Sequence, residues 1–163
     1  MMDVVKINSF RETLEKLYWM ETKLELLRET MASFKIHNEQ YQEVLTKISN
    51  DSSKHRELLE NIINDLEGID LFWLRNKAGH MEAGFDFNGL SEEEIMMDIL
   101  DEEHKALKYY KKVHDETDKE FIEEIWKGDD STRFFEQISF LIDEEDKHIG
   151  WLQSLQVTVK QFS

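Results

Sequence analysis

No proline interrupts this chain, and four stretches of it carry apolar side chains at alternating steps of three and four residues. That spacing lines one side of an α-helix, whereas a strand changes face at every second residue. One stripe holds Phe10, Leu17, Leu24 and Met31, with Leu14 and Glu21 beside them. A second holds Tyr41, Leu45, Ile48, Ser52, His55, Leu59, Ile62 and Leu66. A third passes through Ile99 or Leu100, Glu103, Leu107 and Tyr110. The fourth is Phe134, Ile138, Leu141, Glu145, His148, Leu152 and Leu155. Proline inside a helix costs ~3 kcal/mol, so its absence beside abundant Glu, Lys and Leu favours long helices.

The pattern predicts helices over 9–35, 38–67, 92–116 and 131–159. Ser9 with Glu12 and Ser91 with Glu94 read as capping boxes, and Asn38 as a cap of the second helix, which Gly68 ends. Residues 68–90 hold four of the six glycines and lose the stripe. They read as a crossover that packs Phe72, Trp73 and Leu74 on the bundle, as a lid or a subunit contact. The expected fold is all-α, an antiparallel four-helix bundle with a long crossover between helices two and three, in one domain over 1–163.

Charge and composition narrow the function classes. With 20 basic and 36 acidic residues the formal charge is −16, which disfavours nucleic acid and anionic membranes as partners and favours cations. The absence of cysteine excludes disulfides, thiolate nucleophiles and Cys-based metal sites. No run reaches the ~18 apolar residues of a membrane span. The opening MMDVVKINSF lacks the basic start and apolar run of a secretory signal. A soluble, cytoplasmic protein is expected.

Ionisable side chains occupy the stripes where leucine is expected, and burying a charge costs several kcal/mol unless it is compensated. Helices two and four align without a gap at an offset of 93, the separation of His55 from His148. Lys54 then falls on Lys147, Ile48 on Leu141, Leu59 on Leu152, and Ser52 on Glu145. Folding the first two helices back at residue 37 reflects Glu21 onto about 53. Folding helix four back on helix three reflects Glu103 onto about 146, provided that helix three breaks near Asp115–Asp118. Three carboxylates and two imidazoles then meet in one layer. Such carboxylates repel and take up protons unless a cation intervenes, and mixed carboxylate and imidazole ligation suits iron, manganese or zinc. The candidate metal ligands are Glu21, His55, Glu103, Glu145 and His148. Their neighbours Glu25, Glu102 and Glu144 could take a ligand's place, and a hydrogen-bonded core His–Glu pair would need no metal at all. His104 and His114 read as surface residues, His37 and His80 as loop residues, and Tyr110 as core.

With these residues the chain resembles the rubrerythrin and ferritin-like di-iron carboxylate proteins over nearly its whole length. Those bundles take one Glu from each of two helices and a Glu-x-x-His from each of the others. By resemblance, Glu21 and Glu103 are the single glutamates, Glu145-x-x-His148 is one full motif, and His55 is the histidine of the second. The run EHKALKYY, Glu103 to Tyr110, is similar to the family's glutamate-to-tyrosine spacing. Three positions depart from the pattern. Ser52 stands where the second motif needs a bridging glutamate, Ala106 where rubrerythrins carry an additional one, and Arg28 where tyrosine is common, within reach of Glu21. The resemblance implies an iron-dependent oxidoreductase acting on dioxygen or peroxide, with a mononuclear or dinuclear centre altered by Ser52; a homodimer is a separate expectation. The competing expectation is a non-enzymatic interaction module with a degenerate or empty site.

Overall fold

The computed structural model describes residues 4–34, 36–80 and 85–162, with side chains at all of these except 4, 33, 78–80 and 156–162. Among them the chain is all-α. The helices are α1 (Val4–Glu25), α2 (Leu27–Phe34), α3 (Glu39–Asn64), α4 (Leu71–His80), α5 (Glu92–Glu116), α6 (Lys119–Ile125) and α7 (Thr132–Phe162). None is long and apolar enough to cross a membrane.

Two of the expected caps form. The Asn38 side chain accepts from the Tyr41 backbone N–H at the start of α3. Ser91 and Glu94 make the reciprocal capping box of α5, leaving fewer orphan donors at these ends. The Ser9–Glu12 box does not form, because α1 already starts at Val4. Ile7 packs on the core upstream of Ser9, so the burial of that turn outweighs the local capping signal.

The first predicted helix is also two helices, broken at Leu26. No glycine or proline marks the break. The Ser49 hydroxyl of α3 instead donates to the Glu25 carbonyl at 2.6 Å, and a side chain inserted into the backbone ladder is a recognised cause of a kink. Helix α3 ends at Asn64, before Gly68. Its last turn is drawn into pairing with the end of α6, where the Glu67 N–H donates to the Ile125 carbonyl and the Lys127 N–H to that of Asp65. Gly68 then reverses the chain at φ 80°, where a side chain would be strained. The expected break after α5 is present: Thr117 caps α5, and α6 starts anew at Lys119.

The long helices pack α1 on α3 and α5, and α7 on α3 and α5. Each of these pairs runs antiparallel. Tyr18 meets Glu60 and Glu25 meets Arg56 between α1 and α3, and Tyr110 meets Glu21 while Lys23 meets Glu102 between α5 and α1. Across α7, Glu103 meets His148 while His114 meets Phe135, and Asp51 meets His148 while His55 meets Phe140. It follows that α3 and α5 run in the same direction, which a short turn cannot connect.

That connection is more ordered than a loop. It contains α4, so His80 ends a helix, and its side chain lies outside the described residues. Within it Leu74 is fully buried, whereas Phe72 is 75% and Trp73 40% exposed. The expectation that all three pack on the bundle therefore holds for Leu74 alone. Helix periodicity turns Phe72 and Trp73 outward, and Arg11 and Lys77 lie over the Trp73 ring.

Two apolar clusters fill the interior. One gathers Leu14, Leu17, Leu59, Ile62, Tyr110, Phe134, Ile138 and Leu141, among others. The other gathers Leu24, Leu45, Ile48, Ile99, Leu100 and Leu152. On every long helix the ionisable residue falls between members of the two. Glu21 separates Leu17 from Leu24, His55 separates Ile48 from Leu59, and Glu145 and His148 separate Leu141 from Leu152. A polar layer crosses the middle of the core.

Candidate metal centre

All five residues expected as ligands are buried. Glu21, Glu103, Glu145 and His148 are fully buried, and His55 retains 2% exposure. Each lies on its helix's apolar stripe, so core packing carries it inward. Two groups form: Glu21, His55 and Glu145, and Glu103, Glu145 and His148, each with its ligand atoms within 4.8 Å of one another. Glu145 belongs to both. The residues could therefore hold a metal ion in either triad, or one ion in each with Glu145 between them.

The distances describe two unequal halves. His148 Nδ1 lies 2.9 Å from Glu103 Oε2, and its Nε2 2.9 Å from Asp51 Oδ2. His55 Nδ1 lies 3.5 Å from Glu21 Oε2 and 3.8 Å from Glu145 Oε1, and its Nε2 3.4 Å from Glu144 Oε1. The first half has hydrogen-bond lengths, whereas the second is looser. The imidazoles stack with centroids 5.5 Å apart and planes 23° from parallel. The Tyr110 hydroxyl donates to Glu21 Oε1 at 3.0 Å.

Several buried polar atoms in this layer have no hydrogen-bond partner: Glu21 Oε2, Ser52 Oγ, His55 Nδ1, Glu103 Oε1 and both Glu145 oxygens. Buried polar atoms are satisfied in the great majority of cases, so this concentration in one layer is unusual. All but the serine are metal-ligating atoms, and a cation is what that donor set lacks.

The electrostatics agree. Burial pushes the Glu145 carboxyl well above the usual carboxylate range, and the charges of Glu103 and Glu21 push it further. Glu21 is opposed by its own burial, yet His55 beside it holds it below its ordinary value. Burial would lower His148, but Glu103 and Asp51 at its two nitrogens outweigh that and raise it to about 9. His55 is raised against its burial by Glu21. Burial and the Glu21 charge raise the Tyr110 phenol well above its usual value. Protons thus stand in for positive charge in this layer, and a divalent ion can displace them.

Two participants escape the stripe argument. Asp51 and Glu144 lie one position before Ser52 and Glu145, half-buried, and face the outer nitrogens of the histidines. Glu144 thus takes no ligand's place among the inner carboxylates and serves His55 from outside. The signal was in the repeat, since the offset of 93 that pairs His55 with His148 also pairs Asp51 with Glu144. Glu25 and Glu102 are drawn away from the histidines by basic partners, Glu25 by Arg56 and Glu102 by Lys23. Arg28 does not reach Glu21. It donates to Asn50 on the outside of α3, because it lies beyond the break at Leu26. Ala106 is fully buried in an apolar cluster and adds no carboxylate. His37 is exposed in the turn before α3, His104 is exposed, and His114 lies half-buried against Phe135. Compared with models of known protein families and with curated proteins, the chain matches none.

Proposed function

We propose that this chain is a divergent ferritin-like protein of the rubrerythrin kind that binds iron and acts as an oxidoreductase on dioxygen or peroxide. In this reading α1, α3, α5 and α7 are the four-helix bundle, and the segment 68–90 is its crossover. The observation that carries it is the pair of buried triads sharing Glu145. Iron suits this mixture of carboxylate and imidazole, with manganese and zinc as the other metals it would accept.

Iron, when bound, supplies the electron chemistry, and the chain supplies the setting. Glu21, His55 and Glu145 would hold one ion, and Glu103, Glu145 and His148 the other. Asp51 and Glu144 accept from the outer imidazole nitrogens, which leaves Nδ1 of each histidine for the metal. Tyr110 fixes Glu21 by its hydroxyl. The apolar clusters on both sides of the layer keep water from the centre.

Anaerobic loading of chelator-treated protein with Fe(II), followed by gel filtration and metal analysis, tests the binding. Stoichiometric retained iron that peroxide oxidises faster than free Fe(II) is the expected result, and protein that retains no iron overturns the reading. The second reading is a non-enzymatic interaction module. It is favoured by Ser52, which places a hydroxyl where a carboxylate is needed, and by the lack of cysteine for an electron-delivering iron centre. Homodimerisation belongs to either reading, with Phe72 and Trp73 as the apolar side chains it would cover, and sedimentation of a Phe72→Ser variant tests it.

A further inference from the structure

We propose that the α3 side of this centre is completed by an exogenous small oxyanion of formate or bicarbonate size, held beside Ser52. The proposal rests on the metal-binding reading above and names the ligand that this reading leaves open.

The repeat defines what α3 does not supply. At the offset that superposes His55 on His148, Ser52 falls on Glu145, the carboxylate common to both triads. A serine is a glutamate cut short, with Oγ in the place of Cγ. The atoms missing on the α3 side are therefore one carbon and two oxygens, which are the heavy atoms of formate.

The serine itself is unusual. Its side chain is fully buried, one turn before His55 on the same stripe, and its hydroxyl has no partner. A buried helical hydroxyl normally bonds back to the carbonyl four residues earlier. Thr13, Thr22 and Thr30 do so here, and the buried hydroxyl of Ser49 finds the Glu25 carbonyl instead. The hydroxyl of Ser52 makes no such bond and keeps a donor for an anion.

Charge points the same way. Two divalent ions exceed the charge of the fully buried inner carboxylates Glu21, Glu103 and Glu145 by one, and the acids outside them are part-exposed to solvent. Asp51 and Glu144 face the outer nitrogens of the histidines, and Glu144 is also paired with Lys147. A buried unbalanced charge is costly, and a monoanion removes it. Burial restricts the occupant to a small one.

The test is a titration of chelator-treated protein with Co(II), in buffer free of carboxylates and carbon dioxide. It is run with chloride, formate, bicarbonate, acetate or propionate at equal ionic strength. In the wild type, formate is expected to tighten binding of the second metal equivalent about tenfold and to shift the Co(II) visible spectrum, with bicarbonate similar, acetate weaker and propionate without effect. Ser52→Glu is expected to bind the second equivalent without any anion and to ignore formate. Ser52→Ala loses the donor without adding bulk, and is expected to respond more weakly than the wild type. Co(II) binding that is indifferent to formate, or that responds equally to propionate, overturns the proposal and leaves the metal reading standing. Protein that binds no Co(II) with any anion ends both. Should Ser52→Glu not fold, the wild-type comparison of formate with propionate still decides.

Discussion

Asp51 on α3 holds His148 on α7, with Oδ2 2.9 Å from Nε2. The relation is returned across the same helix pair, where Glu144 on α7 lies 3.4 Å from Nε2 of His55 on α3. Each carboxylate directly precedes the seam position of its own helix and serves the histidine of the other. The arrangement fixes both imidazoles with their Nδ1 atoms toward the carboxylates between them, whatever occupies the layer.

Because such outer partners orient a ligand and raise its basicity, Asp51→Asn is expected to weaken metal binding by roughly 10- to 100-fold. Glu144→Gln is expected to cost less, since its contact is longer and Lys147 shares its charge. Dissociation constants from equilibrium dialysis decide, and an equal or larger loss for Glu144→Gln contradicts the geometry.

His148→Ala is expected to remove most bound metal, and His104→Ala to leave it unchanged. Both histidines have an acidic residue three positions earlier, Glu145 and Asp101. Only His148 lies in the core layer, fully buried, while His104 is exposed. Metal content after gel filtration measures the difference, and equal contents refute the assignment.

Glu145→Gln separates the two roles of the shared carboxylate. In the metal-free protein the amide removes a buried acid that Glu103 and Glu21 both oppose. Its melting temperature is expected to rise by roughly 3–6 °C at neutral pH. Metal binding is expected to be lost, since both triads contain this residue. A variant that melts lower without metal shows that the wild-type carboxylate is already compensated in the fold.

A pH effect is expected away from the centre. Glu60 accepts from Tyr18, Arg56 and Arg75, and Arg75 above all holds its carboxyl below the ordinary 4.5. A depressed carboxyl contributes stability that is full above its unfolded value and is lost as pH falls through its folded one. Arg75 is half exposed, so solvent screening limits the contribution to the order of 1 kcal/mol. Glu60→Gln should therefore lower the melting temperature by roughly 2–4 °C at pH 7 and by less at pH 3. An equal loss at both values removes the electrostatic explanation.

What the chain alone determined is what depends on periodicity. The absence of proline and the stripes of alternating three and four steps made the protein all-α. They also placed Glu21, His55, Glu103, Glu145 and His148 inward, because a residue's position on a helix follows from its number alone. The repeat and the reflections at the turns brought those five to one layer to within two residues, Glu21 meeting His55 instead of 53 and Glu103 meeting His148 instead of 146. The capping box of α5 was legible because capping is local chemistry, and the break after it was expected because the layer required it.

What only the tertiary structure decided is what depends on a neighbour. The break at Leu26 follows from a serine on another helix, which no local signal in α1 records. The early end of α3 follows from pairing with α6, which is distant in the chain. The outward turn of Phe72 and Trp73 needed the boundaries of α4. Asp51 and Glu144 lie off the stripes, on the edge where α3 and α7 meet, and a pattern that recognises burial passes over half-buried residues. Their role exists only once two helices face each other, since a hydrogen bond across an interface is a property of the pair and of neither sequence segment by itself.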